Sequence, residues 1–146
     1  MSTLLSFAAS HSSLAFAPPT YPKASFEDCG SPALKPEAAY YKQLNATNCI
    51  NGFDATPLRT ITNATQTVEV YYKGIKVYND SFDACAKHGF DGIPDCPWTP
   101  ETPLHIIDVN PVHPPAGPYT GKFIFTDSNG EQLFCLSTNW TFNLLA

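Results

Sequence analysis

The chain has 146 residues, of which 43% are hydrophobic and only 14% charged, and its formal net charge is −5. That length accommodates one domain. The acidic balance argues against a nucleic-acid binder, which relies on Lys and Arg meeting phosphates, and against attachment to anionic membranes by charge alone. The 14 prolines, 13% aromatics and single Met suit short strands joined by Pro-bounded turns better than a helical bundle.

Residues 1–17 contain no acid and end in Ala15-Phe16-Ala17 ahead of Pro18-Pro19, which reads as a cleavable signal peptide. The missing basic segment and the interruption at His11-Ser12-Ser13 leave a disordered leader as the other reading. The expected organisation is therefore a leader and linker over 1–25 and one folded domain over 26–146. No apolar run approaches the ~20 residues of a spanning helix. Five cysteines in so short a chain fit an oxidising compartment. Asn-x-Ser/Thr sequons at Asn45, Asn63, Asn79 and Asn139 are candidate glycosylation sites. The expected location is outside the cell or in a vacuolar or lysosomal lumen.

From Pro36 to Leu44 the sequence PEAAYYKQL predicts a short helix, with Pro at the first position ahead of good helix formers. Strand signals begin at residue 66. Val68, Val70 and Tyr72 alternate with Glu69, Tyr71 and Lys73, Gly74 marks a bulge or turn, and Ile75 and Val77 resume the alternation. Leu104–Val109 and Tyr119–Thr126 predict further strands, with Asp108 alternating outward. Asp127-Ser128-Asn129-Gly130 then predicts a tight turn. Gln132–Leu136 returns, and Asn139–Leu144 makes a final strand. The expected fold is all-β, an immunoglobulin-like sandwich of two antiparallel sheets.

Cys29 opens this region and Cys135 ends the strand after the Asn-Gly turn, while Cys85 and Cys96 bracket a Gly-containing loop followed by Pro97-Trp98. Four cysteines allow three pairings, so spacing alone leaves connectivity open. These landmarks resemble the ML domain, the MD-type lipid-recognition family. The matching pieces are Asp28-Cys29-Gly30, the run VEVYYKGIKVYNDSFDAC from Val68 to Cys85, the CPW of Cys96–Trp98, and PPAGPYTGKFIFTDSNGEQLFCL from Pro114 to Leu136. Within the family, the chain resembles the sterol carriers of the Niemann–Pick C type and the fungal phosphatidylglycerol/phosphatidylinositol transfer proteins. The resemblance implies the disulfides Cys29–Cys135 and Cys85–Cys96. It also departs from the family pattern at the helix-prone segment and at Cys49, which has no partner for the family's usual third bridge.

The resemblance further implies an apolar cavity between the sheets holding a sterol or phospholipid, with no metal and no cofactor. Two apolar inner faces normally interdigitate into a solid core, but splayed sheets leave a slot in which burial yields ~0.8 kcal/mol per methylene. The expected lipid-facing set is Val70, Tyr72, Ile75, Val77, Phe82, Leu104, Ile106, Tyr119, Phe123, Phe125 and Leu136. Phe90 and Trp98 would sit near the mouth, and Pro114 and Pro115 occupy the place of the family's entrance prolines. Lys73 and Lys76 read first as outward lysines that discourage edge pairing, and second as holders of a phosphate headgroup. The expected partners are the lipid, transiently a membrane, and a lipid-accepting membrane receptor. The rival is a secreted recognition module with a filled core, because fold alone does not decide function.

An enzyme is not expected. The sequence contains no H-E-x-x-H, G-x-S-x-G or phosphate-binding Gly loop. His88, His105 and His113 lie near Asp91, Asp108 and Glu101 in sequence, but no spacing resembles a metal site or a triad.

Overall fold

The computed structural model describes residues 21–86, 93–111 and 115–144. Over these residues the chain forms β1 (Lys23–Ala24), β2 (Phe26–Asp28), β3 (Leu34–Gln43), β4 (Asn48–Pro57), β5 (Thr65–Tyr72) and β6 (Ile75–Asp83). A 3-10 turn at Ala84–Ala86 follows, then β7 (Leu104–Pro111), β8 (Gly117–Thr126) and β9 (Gln132–Phe142). They build a five-stranded sheet in the order β2-β9-β8-β5-β6 and a four-stranded sheet in the order β1-β3-β4-β7. All pairings are antiparallel. The all-β sandwich expected from the sequence is the fold observed.

The inner faces meet around Phe53 of β4, whose ring lies 5.1 Å from Phe123, 5.9 Å from Phe125 and 5.1 Å from Phe134 across the sandwich. Leu104, Ile106 and Leu136 are buried in the same cluster. Contacts of this kind combine burial with the tilted and edge-on ring geometries that aromatic pairs prefer.

The predicted helix over 36–44 is instead β3. Its inner-facing residues Ala39 and Tyr41 pair with Phe53 and Asn51 of β4. A bulge between Pro36 and Ala38 lets the strand accommodate a proline, which has no N–H to give to a ladder. Partners on both sides, β1 and β4, outweigh the local helical preference of a nine-residue stretch.

Two further expectations change. Lys73 and Gly74 form the turn between β5 and β6, both at positive φ (51° and 80°), which Gly74 adopts at no steric cost. Beyond it, Val70 pairs with Tyr78 but Tyr71 with Lys76, leaving Val77 as the extra residue of a bulge. The phase of β6 therefore shifts beyond Val77, and Ile75, expected to face inward, pairs with Tyr72 at the hairpin tip, where it is 68% exposed. Asp108, expected to alternate outward, shares the inner face of β7 with Leu104 and Ile106 and is 8% exposed. The two expected strands after residue 132 are one, β9, in which a bulge between Gln132 and Phe134 buries both Leu133 and Phe134.

Cys29 is bonded to Cys135 and Cys85 to Cys96, while Cys49 is free and buried. Ser31 Oγ donates to the Cys135 carbonyl (3.1 Å) and accepts from the Cys135 amide (3.0 Å), fixing the chain where it leaves β2 for the other sheet. The two sheets approach most closely on this side, where β9 and β2 lie over β3 and β1; no comparable approach joins β5 or β6 to β7.

Candidate functional site

A pocket of about 40 Å³ lies between the sheets. The five-stranded sheet lines it with Val68, Val70, Val77, Tyr78, Tyr119, Gly121, Phe123 and Trp140, and the four-stranded sheet with Cys49, Asn51, Asn110 and Pro111. Val77 is 44% exposed, so the pocket meets the surface at the β6 bulge.

Strand register explains why these residues meet. Val68, Val70 and Tyr72 of β5 stand opposite Phe123, Gly121 and Tyr119 of β8, and Trp140 of β9 pairs with Tyr119. Gly121 is the small residue in that row. A Cβ there would come within 2.6 Å of Cζ3 and 2.8 Å of Cη2 of Trp140, so the six-membered ring of the indole lies close against the glycine. Tyr119 and Trp140 stack at 6.2 Å, and Tyr72 leans on Tyr119 at 4.9 Å. Tyr119 also donates its hydroxyl proton to the Pro115 carbonyl, tying the loop before β8 to the pocket.

The opposite wall is polar. In register across the four-stranded sheet, Tyr41 pairs with Asn51 and Asn51 with Asp108, and in the next row Gln43 pairs with Cys49 and Cys49 with Asn110. Asn51 is 3% exposed; its Oδ1 accepts from Cys49 Sγ (3.2 Å) and from Asn110 Nδ2 (3.3 Å), while its Nδ2 has no partner. The buried Tyr41 hydroxyl also lacks a partner, its ring stacking on Trp140 at 5.5 Å. Burial pushes the Cys49 thiol up to about 11, and burial together with the neighbouring Cys49 pushes Tyr41 up to about 12. Both are neutral at physiological pH. No Lys, Arg or His lines the pocket among the described residues.

Of the residues expected to face lipid, Val70, Val77, Tyr119 and Phe123 line this pocket, and Tyr72 flanks it through its contact with Tyr119. Leu104, Ile106, Phe125 and Leu136 belong to the close-packed core, with Phe82 packed against it. Pro115 is exposed beside the loop that Tyr119 ties down. Ile75 faces solvent. Phe90 and Pro114 lie outside the described residues, as do His88, Asp91, His113 and the leader.

Trp98, expected at the mouth, is fully buried at the other end of the sandwich. Its indole N–H donates to the Pro94 carbonyl (2.9 Å), its ring lies 5.4 Å from Phe125, and its backbone bridges Ile61. The sequence reading passed over Cys49, Asn51, Tyr78, Asn110 and Trp140. The first two fall in the segment before residue 60 that carried no strand signal, and Trp140 was hidden by splitting β9 in two. The alternation Cys49, Asn51, Phe53, Ala55 was the available clue to an inward face.

Outside the pocket, the lysines and the remaining histidine occupy outer surfaces. Lys76 pairs with Glu69 at 3.1 Å, and Lys73 Nζ lies 5.4 Å from the Tyr72 ring centre. His105 shares Asp54 with Tyr40, whose hydroxyl burial and the Asp54 bond push up to about 12. All four sequon asparagines are exposed. Asn63 accepts the Ser128 amide and Asn139 the Thr120 hydroxyl.

Among solved structures, the chain is similar to a Niemann–Pick type C2 protein from the Japanese carpenter ant, with a TM-score of 0.62 at 16% identity over 82% of this chain and 99% of that one. It is also similar to the C-terminal domain of wzt, with a TM-score of 0.56 at 11% identity over 87% of this chain and 80% of that one. Chicken MD-1, solved with lipid IVa, aligns at a TM-score of 0.46 and 14% identity over 86% of this chain and 100% of that one. At such identities the likeness to the first two shows a shared fold. No curated protein matches the chain in sequence. The family comparison is more specific, matching the ML domain over residues 24–142, and on it the chain belongs to the ML-domain family.

Proposed function

We propose that this protein binds a lipid between its two sheets and carries it between membranes in an extracellular or lumenal compartment. Family membership over residues 24–142 is the observation that carries the reading. The two disulfides support the compartment, and the apolar wall of the pocket, from Val68 to Trp140, supports the ligand class. The aromatic rings there would lie along hydrocarbon and the exposed Val77 would meet a membrane surface.

The pocket as it stands has room for a few water molecules, whereas ligand sites span roughly 300–1,000 Å³. Binding therefore requires the sheets to part on the side where β6 and β7 are not in close approach. Sterol and phospholipid are the two candidate cargos, and a lipid-accepting receptor is the candidate partner on release.

The close packing around Phe53 favours a second reading, a recognition module with a filled core. One experiment separates them. Purified protein is analysed by native mass spectrometry for retained lipid, and then for its ability to move a fluorescent sterol or a fluorescent phospholipid between vesicles. Retained lipid, with transfer rising with protein concentration, supports the carrier. Protein that carries no lipid and moves neither probe is a recognition module.

A further inference from the structure

We infer that the pocket recognises the hydroxyl group of an uncharged lipid, with Asn51 Nδ2 donating to the hydroxyl oxygen. This deepens the lipid-binding reading and rests on it. A slot for hydrocarbon alone would be apolar on both walls. Here one wall is apolar, while the other presents Asn51 and Asn110 at the pocket, with Tyr41 and Asp108 in the adjoining positions of the ladder.

Asn51 is buried to 3% exposure, and a buried amide N–H without a partner costs free energy until something accepts from it. Its orientation is fixed from behind. Cys49 and Asn110 both give protons to Oδ1, so Nδ2 is the end left to receive an acceptor. The Tyr41 hydroxyl, next in the same ladder and also unpartnered, is placed to take the proton of the incoming hydroxyl. An alcohol, which both accepts and donates, satisfies both groups.

Charge sets the discrimination. No cationic side chain lines the pocket among the described residues, and the Asp108 carboxyl is buried in the row beside Asn51. Lys76 is paired with Glu69 on the outer face, and Lys73, at the hairpin turn, lies over the Tyr72 ring and does not line the pocket. A carboxylate or phosphate drawn into this space would be desolvated without a counter-ion, which is expensive. The pocket therefore selects lipid alcohols over lipid anions.

The test uses three probes of one chain length at pH 8: 1-hexadecanol, 1-chlorohexadecane and hexadecanoate. Binding is followed by quenching of tryptophan fluorescence and by native mass spectrometry. Hexadecanol should bind about 5- to 10-fold more tightly than the chloroalkane, the usual worth of one net hydrogen bond, and more tightly still than hexadecanoate. Asn51→Leu should erase that preference while leaving chloroalkane binding within about two-fold, since Leu keeps nearly the shape of Asn and gives the ligand no donor. Tyr41→Phe should lower it partially with the Trp140 stack retained, which decides the matter if Asn51→Leu does not fold. Equal affinity for alcohol and chloroalkane overturns the inference and assigns the pocket to water. Tightest binding of hexadecanoate overturns it too, as does loss of all three probes in parallel in either folded variant. Binding of none of the probes by the wild-type protein defeats the lipid reading itself.

Discussion

The two ends of the sandwich are built from the same materials and packed to different densities. At one end Trp98 is fully buried, hydrogen-bonded to Pro94 and seated on Phe125, with Phe53 and Phe134 behind it. At the other, Trp140 lies over Gly121 and beside Tyr119, is only half-buried, and borders open space. The difference is in what faces each indole. Trp98 is closed in by the Phe125 ring, whereas Trp140 stacks on Tyr41 of the other sheet and, beside that stack, Asn51 and Asn110 line the pocket with short side chains that leave the gap unfilled. A single exchange of apolar for polar residues along β4, from Phe53 to Asn51, marks where core ends and pocket begins.

The comparison can be broken in four ways, in falling order of expected effect. Trp98→Ala should cost about 3–5 kcal/mol in chemical denaturation, as for other fully buried aromatics; a loss below ~1 kcal/mol would mean that this end is no plug. Gly121→Ala should cost about 1–3 kcal/mol by driving the added methyl into Trp140. It should also weaken lipid binding by tilting the indole into the pocket. Phe125→Trp should cost a similar amount without a separate effect on binding, because Phe125 lies in the core and not at the pocket. Equal binding defects in these two variants would erase the distinction between the ends.

The third test is pH. The Cys49 thiol is raised from an ordinary 9.0 to about 11 in the folded protein. A group raised on folding gives stability that is complete below its unfolded value and is lost as pH rises through its folded one. Wild-type stability should thus fall by up to about 2–3 kcal/mol more than that of Cys49→Ala between pH 9 and 11, read as the difference in denaturant midpoints. Parallel curves would place Cys49 in contact with water. The smallest effect is expected from Lys76→Ala. Its pairing with Glu69 is on the outer face, so transfer of lipid should be unchanged; a loss confined to anionic phospholipid would restore the headgroup role for this lysine.

The sequence made one half of this molecule far more legible than the other. β5 through β9 carry alternation, a Gly-marked turn and an Asn-Gly turn, each with a local physical cause, and they appear at nearly the expected places. Cysteine pairing came through resemblance, since spacing left three options. What failed was parity and context. Adjacent Ile106 and Ile107 in β7 conceal which face Asp108 takes, and the alternating pattern does not show that Ile75, opposite Tyr72 at the hairpin tip, is left exposed. PEAAYYKQL has the local chemistry of a helix and the neighbours of a strand, and neighbours decide. The polar wall of the pocket was the least visible, because a buried Asn looks in sequence like any loop Asn.

Where the chain leaves β2 for β3, Ser31 is bonded to Cys135 and the Ala33 amide donates to the Leu133 carbonyl, and β9 and β2 lie over β3 and β1 along that long edge. Such an arrangement has leverage. From β9 to β6 there are three strand spacings, about 14 Å, so a rotation of roughly 10° about the clasped edge swings β6 outward by about 2.5 Å. That arc breaks no rung of either ladder, since the strand pairings lie within the sheets and the axis runs between them. The work of opening falls on the side chains that line the pocket from the two sheets, Val77 and Tyr78 on one and Asn110 on the other, and on the β6-to-β7 connection that the Cys85–Cys96 disulfide and the Ile61–Trp98 bridge hold.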